Sequence, residues 1–290
     1  MRQRLYDTLN YFQKIYSKIY SNNLRVLAYH TINDSSEFEK QIKYLKENFN
    51  IIDLDILEGH LFKNKKLPSK PLLITFDDGD ISVYNNGLSL FTKYNIPSIL
   101  FVITSLINTT KPFWWDQIRH HIDGEKGESK SWEVKHWSNK QRITYIEKLI
   151  LESPKAPLNA EQLSSSQLND LNKSGMEIGN HSSTHPMFDQ CETEEIKDEL
   201  QTSISCLKDL GFHYNVFAYP NGNYDNSSEQ ELVNSGIKMA FLFDHKINKR
   251  KVDPLRISRI RVDSNTNLKE FKVKVSGFHS YIYHNFRKNS

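Results

Sequence analysis

Residues 71–79 read Pro71-Leu72-Leu73-Ile74-Thr75-Phe76-Asp77-Asp78-Gly79. The run from Pro71 to Phe76 is short, apolar and bounded by turn residues, which predicts a strand buried on both faces. Two adjacent carboxylates follow where the strand ends, and α/β folds place their ligand sites at the C-terminal edges of such strands. Asp and Gly also suit a plain turn. What Asp77 and Asp78 mean therefore depends on what else falls at strand ends.

Outward from this stretch the chain alternates. Upstream lie a strand at Leu24–Tyr29, a helix near Phe38–Asn48 with Phe38, Ile42, Leu45 and Phe49 on one face, and a strand at Ile51–Leu54. Downstream come a helix at Tyr84–Tyr94, the Asn95-Ile96-Pro97 turn and a strand at Ser98–Ile103. After a long middle section the alternation resumes with Met176–Gly179, a helix at Glu192–Leu210 stopped by Gly211, and a strand at Asn215–Tyr219. A helix near Ser228–Ser235 stopped by Gly236 and strands at Lys238–Phe243 and Ile257–Val262 complete it. Such alternation predicts parallel strands covered by helices, either a doubly wound sheet or a (β/α) barrel, and periodicity alone does not choose.

The segment from about 105 to 174 fits this rhythm poorly and reads as a helical insertion. It carries Phe113-Trp114-Trp115-Asp116 and then Trp132 and Trp137, aromatics suited either to an insertion's own small core or to stacking on sugar rings. At the start, Leu5, Leu9, Phe12, Tyr16 and Ile19 recur at helical spacing with Arg2, Arg4, Lys14 and Lys18 near the opposite side. That basic amphipathic helix suits packing on the domain or a foot on an anionic membrane surface. The expected organisation is an N-terminal helix over 1–23, a main domain over 24–265 and a C-terminal tail over 266–290.

Composition narrows the class. The chain has 290 residues, with 38 Lys and Arg against 35 Asp and Glu, a balance that leaves no electrostatic footprint for nucleic acid. No apolar run approaches the roughly 20 residues of a membrane span. Charges interrupt residues 1–23 in a way a secretory leader does not tolerate, so retention in the cytoplasm, with peripheral contact at the inner membrane face, is the expectation. Cys191 and Cys206 lack metal-site spacing and are expected to be reduced thiols.

Three more motifs end predicted strands. His181-Ser182-Ser183-Thr184-His185-Pro186 brings two imidazoles within reach of one ion, and with an aspartate they make the three-ligand set that a catalytic zinc site typically uses. Phe217-Ala218-Tyr219-Pro220-Asn221-Gly222 breaks a strand into a turn whose exposed amide suits an oxyanion. His30 ends the strand at Leu24–Tyr29. Singly, each of these is more often a turn or a structural histidine; their shared position is what carries weight.

In this order, TFDDG at 75–79, HSSTH at 181–185 and FAYPNG at 217–222 resemble the first three motifs of the carbohydrate esterase family 4 polysaccharide deacetylases, the NodB-homology family. LAYHTIND at 27–34, NIPSILFV at 95–102 and FWWD at 113–116 are similar to members associated with surface-polysaccharide biosynthesis. The resemblance spans roughly residues 24 to 262. It implies a distorted (β/α) barrel and metal-dependent removal of an N-acetyl group from an amino sugar, in a polysaccharide or in a nucleotide- or lipid-linked precursor. It further implies Asp77 as general base and Asp78, His181 and His185 as metal ligands. His30 is implied as the acid that protonates the departing amine, as in relatives with permuted motif order, and His245 is its competitor. Tyr219, Pro220 and Asn221 are implied at the substrate and oxyanion side, with Trp114 and Trp115 as sugar contacts. Zinc is the default metal, and Co2+, Ni2+ or Fe2+ would suit the same ligands.

One departure matters. The family's third motif commonly reads Arg-any-Pro-Tyr-Gly, whereas Ala218 and Asn221 stand at the Arg and Tyr positions here. An Arg beside the catalytic Asp keeps it ionised and oriented; the late strand Arg256-Ile257-Ser258-Arg259-Ile260-Arg261 offers three candidates for this role, and Arg259 is the one most similar to the Arg of related sequences. Without such a partner the same fold would be a catalytically silent carbohydrate-binding protein. Hydrolysis of another small acyl group is the remaining alternative.

Overall fold

The computed structural model describes residues 15–278. Eight strands run β1 Arg25–Tyr29, β2 Asn50–Ile51, β3 Pro71–Phe76, β4 Ser98–Val102, β5 Met176–Asn180, β6 Val216–Ala218, β7 Met239–Phe241 and β8 Ile260–Arg261. The helices are α1 Ser35–Asn48, α2 Leu54–Lys63, α3 Ile81–Tyr94, α4 Trp114–His121, α5 Gly124–Glu133, α6 Asn139–Glu152, α7 Ser165–Lys173, α8 Thr193–Asp209, α9 Asn226–Asn234 and α10 Leu268–Ser276.

The strand order is β7-β6-β5-β4-β3-β1-β8, with β2 pairing the start of β3, and these pairings are parallel. Residues 257–261 touch both ends of this row: Ile257 bridges Phe241 of β7, while Ile260 and Arg261 pair Leu27 and Ala28 of β1. The sheet therefore curls into a distorted (β/α) barrel, joined by one short, irregular run. Periodicity left a doubly wound sheet open; this closure decides for the barrel.

Alternation along the strands sorts side chains between two cores. Val26, Leu73, Ile99, Phe101, Val216, Ala218, Phe241 and Ile257 meet inside the barrel. Leu27, Tyr29, Leu72, Ile74, Phe76, Leu100 and Ile178 face outward onto helices such as α1, α3 and α7. Phe217, Tyr219, Ala240 and Leu242 pack outward on α8 and α9. Inside, Gly179 of β5 has no room for a side chain, since a Cβ there would meet the Phe101 ring at 2.8 Å.

The expected elements correspond to observed ones with shifted ends. The strand expected over Ile51–Leu54 stops at Ile51, because the Asp53 side chain accepts from the Ile56 amide and starts α2. The expected insertion is shorter than 105–174: Leu168 and Leu171 of α7 lie in the outer core, so α7 is the covering helix between β4 and β5. The expected tail at 266–290 begins with α10, whose Phe271 and Val275 are fully buried beside α1. Most of the expected helix at residues 5–19 lies outside the described residues. Its described end, 15–19, is helical, and Tyr16 packs against Phe278 at 4.7 Å. Among the described residues no helix is long and apolar enough to cross a membrane, and Cys191 and Cys206 are free thiols.

Candidate active site

Strand parity aims the site. Counting in twos from Leu73 inside the barrel leads through Thr75 to Asp77, and from Val26 through Ala28 to His30. Gly179 leads to His181, and Ile257 to Arg259. All four side chains thus emerge at the C-terminal mouth of the barrel. β3 keeps its pairing one residue further, the Asp77 amide donating to the Tyr29 carbonyl at 2.9 Å. The chain then turns sharply through Asp78 and Gly79 at φ 72° and 78°, a conformation that glycine adopts freely and aspartate tolerates.

Asp78, His181 and His185 converge. Asp78 Oδ1 lies 3.3 Å from His181 Nε2 and 3.5 Å from His185 Nε2. Ligands about 2.1 Å from one tetrahedral ion sit about 3.4 Å from each other, so these separations fit a shared cation. His181 Nδ1–H donates to the Ala218 carbonyl at 2.8 Å, which turns the Nε2 lone pair toward Asp78. Asp78 Oδ1, the atom both Nε2 nitrogens approach, is buried without a hydrogen-bond partner, as suits a ligand oxygen for an ion. Burial works against charge on Asp78, yet His181, His185 and His30 hold its carboxyl below the usual carboxylate range. Burial also opposes charge on His181 but Asp78 and Asp77 outweigh it and raise its pKa, whereas burial and the neighbouring His181 hold His185 neutral.

The loop that carries the histidines is braced from behind. Glu199 of α8 accepts from the Ser183 and Thr184 amides, both at 2.8 Å, and Asn180 Oδ1 accepts from the Ser182 amide at 2.8 Å. Ser182 Oγ accepts from the His185 amide at 3.0 Å, holding His185 at φ 59°. Glu199 drew no notice in the sequence, since one acid on an amphipathic helix carries no signal.

Asp77 is clamped. Arg259 Nη1 donates to its Oδ1 at 2.6 Å and Nη2 to its Oδ2 at 2.7 Å. The guanidinium also donates to Thr75 Oγ1 at 3.1 Å and to the Leu242 carbonyl at 2.7 Å. Arg259 is 0% exposed and Asp77 2%. Ala218, at the position of the missing motif Arg, instead lends its carbonyl to His181.

A cavity of about 360 Å3 opens over these groups, and His30, Asn221 and Trp115 are among its walls. His30 rests edge-on against Phe243 at 5.3 Å, and His245 stands on another side of the same ring, outside the cavity lining. Of Tyr219, Pro220 and Asn221 only Asn221 reaches the cavity. Strand parity turns the Tyr219 ring outward onto Phe217 and Tyr224, and Pro220 is buried in the turn. Asn221 and Gly222 are both left-handed, at φ 57° and 76°, and a Cβ on Gly222 would strike the Phe243 backbone nitrogen at 2.6 Å. The Tyr219 amide is committed to the Phe241 carbonyl, the Gly222 amide to the Tyr219 carbonyl, and Pro220 has none. The Asn221 amide is the donor this turn leaves without a backbone partner.

Trp114, expected as a sugar contact, does not line the cavity. Its indole N–H donates to the His185 carbonyl at 3.1 Å and the Arg142 guanidinium lies 4.6 Å from its ring, so it supports the histidine loop. Trp115 does line it, stacked on Phe113 and edge-on to His185 at 4.9 Å. Among the basic residues of the walls, Arg119 and Lys135 from the insertion had no place in the sequence reading, and Arg261 of β8 entered it only as a candidate partner for Asp77. Arg261 stands two residues beyond Arg259, on the same face by strand parity; the insertion residues gave no such signal.

A (β/α) barrel with this cluster at its strand ends has the make-up of a hydrolase. The family model described as polysaccharide deacetylase matches residues 64–240, more than half of the chain, and the chain belongs to that family. A curated relative, the poly-beta-1,6-N-acetyl-D-glucosamine N-deacetylase of Staphylococcus epidermidis, is 24% identical over 266 residues, covering 91% of this chain and 77% of the relative. Among solved structures, the deacetylase PplD of Streptococcus pyogenes in complex with acetate is 19% identical. It aligns over 88% of this chain and 99% of its own with a TM-score of 0.64. IcaB from Ammonifex degensii is 20% identical, over 88% and 97%, with a TM-score of 0.63. At these identities the two structures support the fold, the NodB type of distorted barrel.

Proposed function

We propose that this chain removes the acetyl group from N-acetylglucosamine units of a β-1,6-linked surface polysaccharide, using a divalent ion held by Asp78, His181 and His185. The observation that carries the reading is the triad at 3.3 and 3.5 Å beside an Arg-clamped Asp77 in one cavity. The activity named for the Staphylococcus epidermidis relative supports the polymer over a nucleotide- or lipid-linked precursor. The Asp77–Arg259 pair also weighs against a silent carbohydrate binder, because it supplies what Ala218 cannot.

An ion in the triad contributes Lewis acidity and a more acidic water, the chemistry that general divalent sites provide. The rest falls to the chain. Asp77, fixed by both guanidinium nitrogens, takes one proton from the attacking water as its oxygen bonds to the acetyl carbon. The Asn221 amide donates to the developing oxyanion. His30 delivers a proton to the sugar nitrogen as the carbon–nitrogen bond breaks, so the leaving group departs as a neutral amine. Trp115, edge-on to His185, forms an apolar part of the cavity wall.

The test pairs metal content with turnover. Wild type, dialysed against a weak chelator and reloaded with zinc, is expected to hold about one equivalent and to release acetate from β-1,6-linked N-acetylglucosamine oligomers. His181→Ala and Asp78→Ala are expected to lose the ion, and Asp77→Asn to keep it while losing turnover. Folded triad variants with wild-type metal content would overturn the ligand assignment, and a metal-loaded wild type releasing no acetate would favour the silent binder.

A further inference from the structure

Among the described residues, charges around the cavity are matched in pairs, with one exception. Asp77 is paired with Arg259, Arg261 with Asp263 at 3.5 Å, and Arg119 with Glu128 at 2.6 Å and Asp116 at 3.1 Å. Among the described residues Lys135, on the short 3-10 turn Val134–His136 after α5, has no carboxylate partner within ion-pair distance. Its ammonium lies over the Trp132 ring at 4.0 Å and donates to Asn221 Oδ1 at 3.1 Å. Asn221 Nδ2 donates to Asn223 Oδ1 at 2.8 Å, and Asn223 Nδ2 to the Asp189 carboxylate at 2.9 Å. A chain of neutral amides thus holds the ammonium in the cavity wall without neutralising it there. Burial pushes its pKa down to about 8, with Asp78 opposing and Arg119 and Arg261 assisting; the contact with the Trp132 face and the donation to Asn221 Oδ1 both favour the ammonium form.

Deacetylation turns a neutral amide into an amine that takes a proton in water. A fixed cation in the wall therefore distinguishes a sugar before reaction from one after it. We propose that Lys135 is a specificity-determining residue that admits N-acetylated sugars and disfavours amine-bearing ones beside the reacting unit. The inference rests on the deacetylase reading above. It makes the enzyme avoid stretches it has already processed and hastens departure of its own product. Taking a separation of about 8 Å for illustration, two like unit charges at an effective dielectric between protein and water discriminate by roughly three- to tenfold.

The probes are an all-acetylated β-1,6-linked N-acetylglucosamine pentamer and the same pentamer with an amine on the unit next to the centre. Zinc-loaded wild type is expected to favour the acetylated pentamer three- to tenfold in kcat/KM, Lys135→Arg to retain that preference, and Lys135→Met, which keeps the packing on Trp132, to lose it. Calorimetric binding of both pentamers to the same proteins reads the preference without turnover. Equal preference in wild type and Lys135→Met, by rate or by binding, overturns the proposal. So does a variant that loses turnover equally on both pentamers, because Lys135 would then act by positioning the Asn221 turn. Absence of acetate release by wild type counts against the deacetylase reading, and the binding comparison still decides this one.

Discussion

Replacing Arg259 by Met removes the clamp on Asp77 and leaves a carboxylate at 2% exposure with no counter-charge. Breaking a buried ion pair from one side costs about 3–5 kcal/mol, mostly for the stranded charge. The lost bonds to the Leu242 carbonyl and Thr75 Oγ1 lie within that range, since the shape of Met fills much of the space. For a domain of this size the midpoint of thermal unfolding should fall by roughly 6–15 °C. Turnover should fall by at least about a hundredfold, because the base loses the partner that orients it. The double variant Asp77→Asn/Arg259→Met removes the stranded charge, so it should be more stable than Arg259→Met alone while staying inactive. Urea melts followed by circular dichroism, alongside acetate release from the loaded enzyme, measure both quantities, and the cycle isolates the coupling. Refutation would be an Arg259→Met protein within about 1 kcal/mol of wild type, or a double variant no more stable than the single one.

His30→Gln should lower turnover by about 10²- to 10⁴-fold, with metal content unchanged, whereas His245→Gln, outside the cavity lining, should stay near wild type; the opposite pattern in acetate release would make His245 the acid. Burial and the acids Glu195 and Glu199 push the Cys191 thiol up to about 12, and burial and Asp209 raise Cys206. Titration of the native protein with a disulfide reagent should therefore run roughly a hundredfold slower than for a free thiol, and fast labelling would contradict this. The basic helix expected over residues 1–20 is read by sedimentation with anionic vesicles: wild type should pellet and the Arg2→Glu/Arg4→Glu/Lys14→Glu variant should not. Equal behaviour of the two would remove the membrane foot.

What the amino-acid sequence determined about this protein is local in origin. Pro71–Phe76 had to be a buried strand because six apolar-compatible residues lie between turn residues, and Asp77 to Gly79 had to turn because aspartate and glycine tolerate left-handed backbone. The same logic exposed His181, His185 and His30 at strand ends. It missed α2, where a single Asp53 cap outweighed the strand-like look of Ile51–Leu54. Parity along β6 could have turned Tyr219 away from the site, because a period of two assigns each residue a face.

Only the tertiary structure decided which distant groups meet. Arg259 reaches Asp77 across 182 residues of sequence, and Lys135 reaches Asn221 across 86. Curling β1 to β8 into a barrel brings such residues to one mouth, and no periodicity encodes that closure. Trp114 and Trp115 are neighbours in sequence, yet α4 turns one toward the histidine loop's backbone and the other into the cavity. Motif residues are legible because their backbone needs are met within a few positions, and Arg259 was expected through the resemblance; Lys135 was not legible, because its role exists only once the barrel has closed around it.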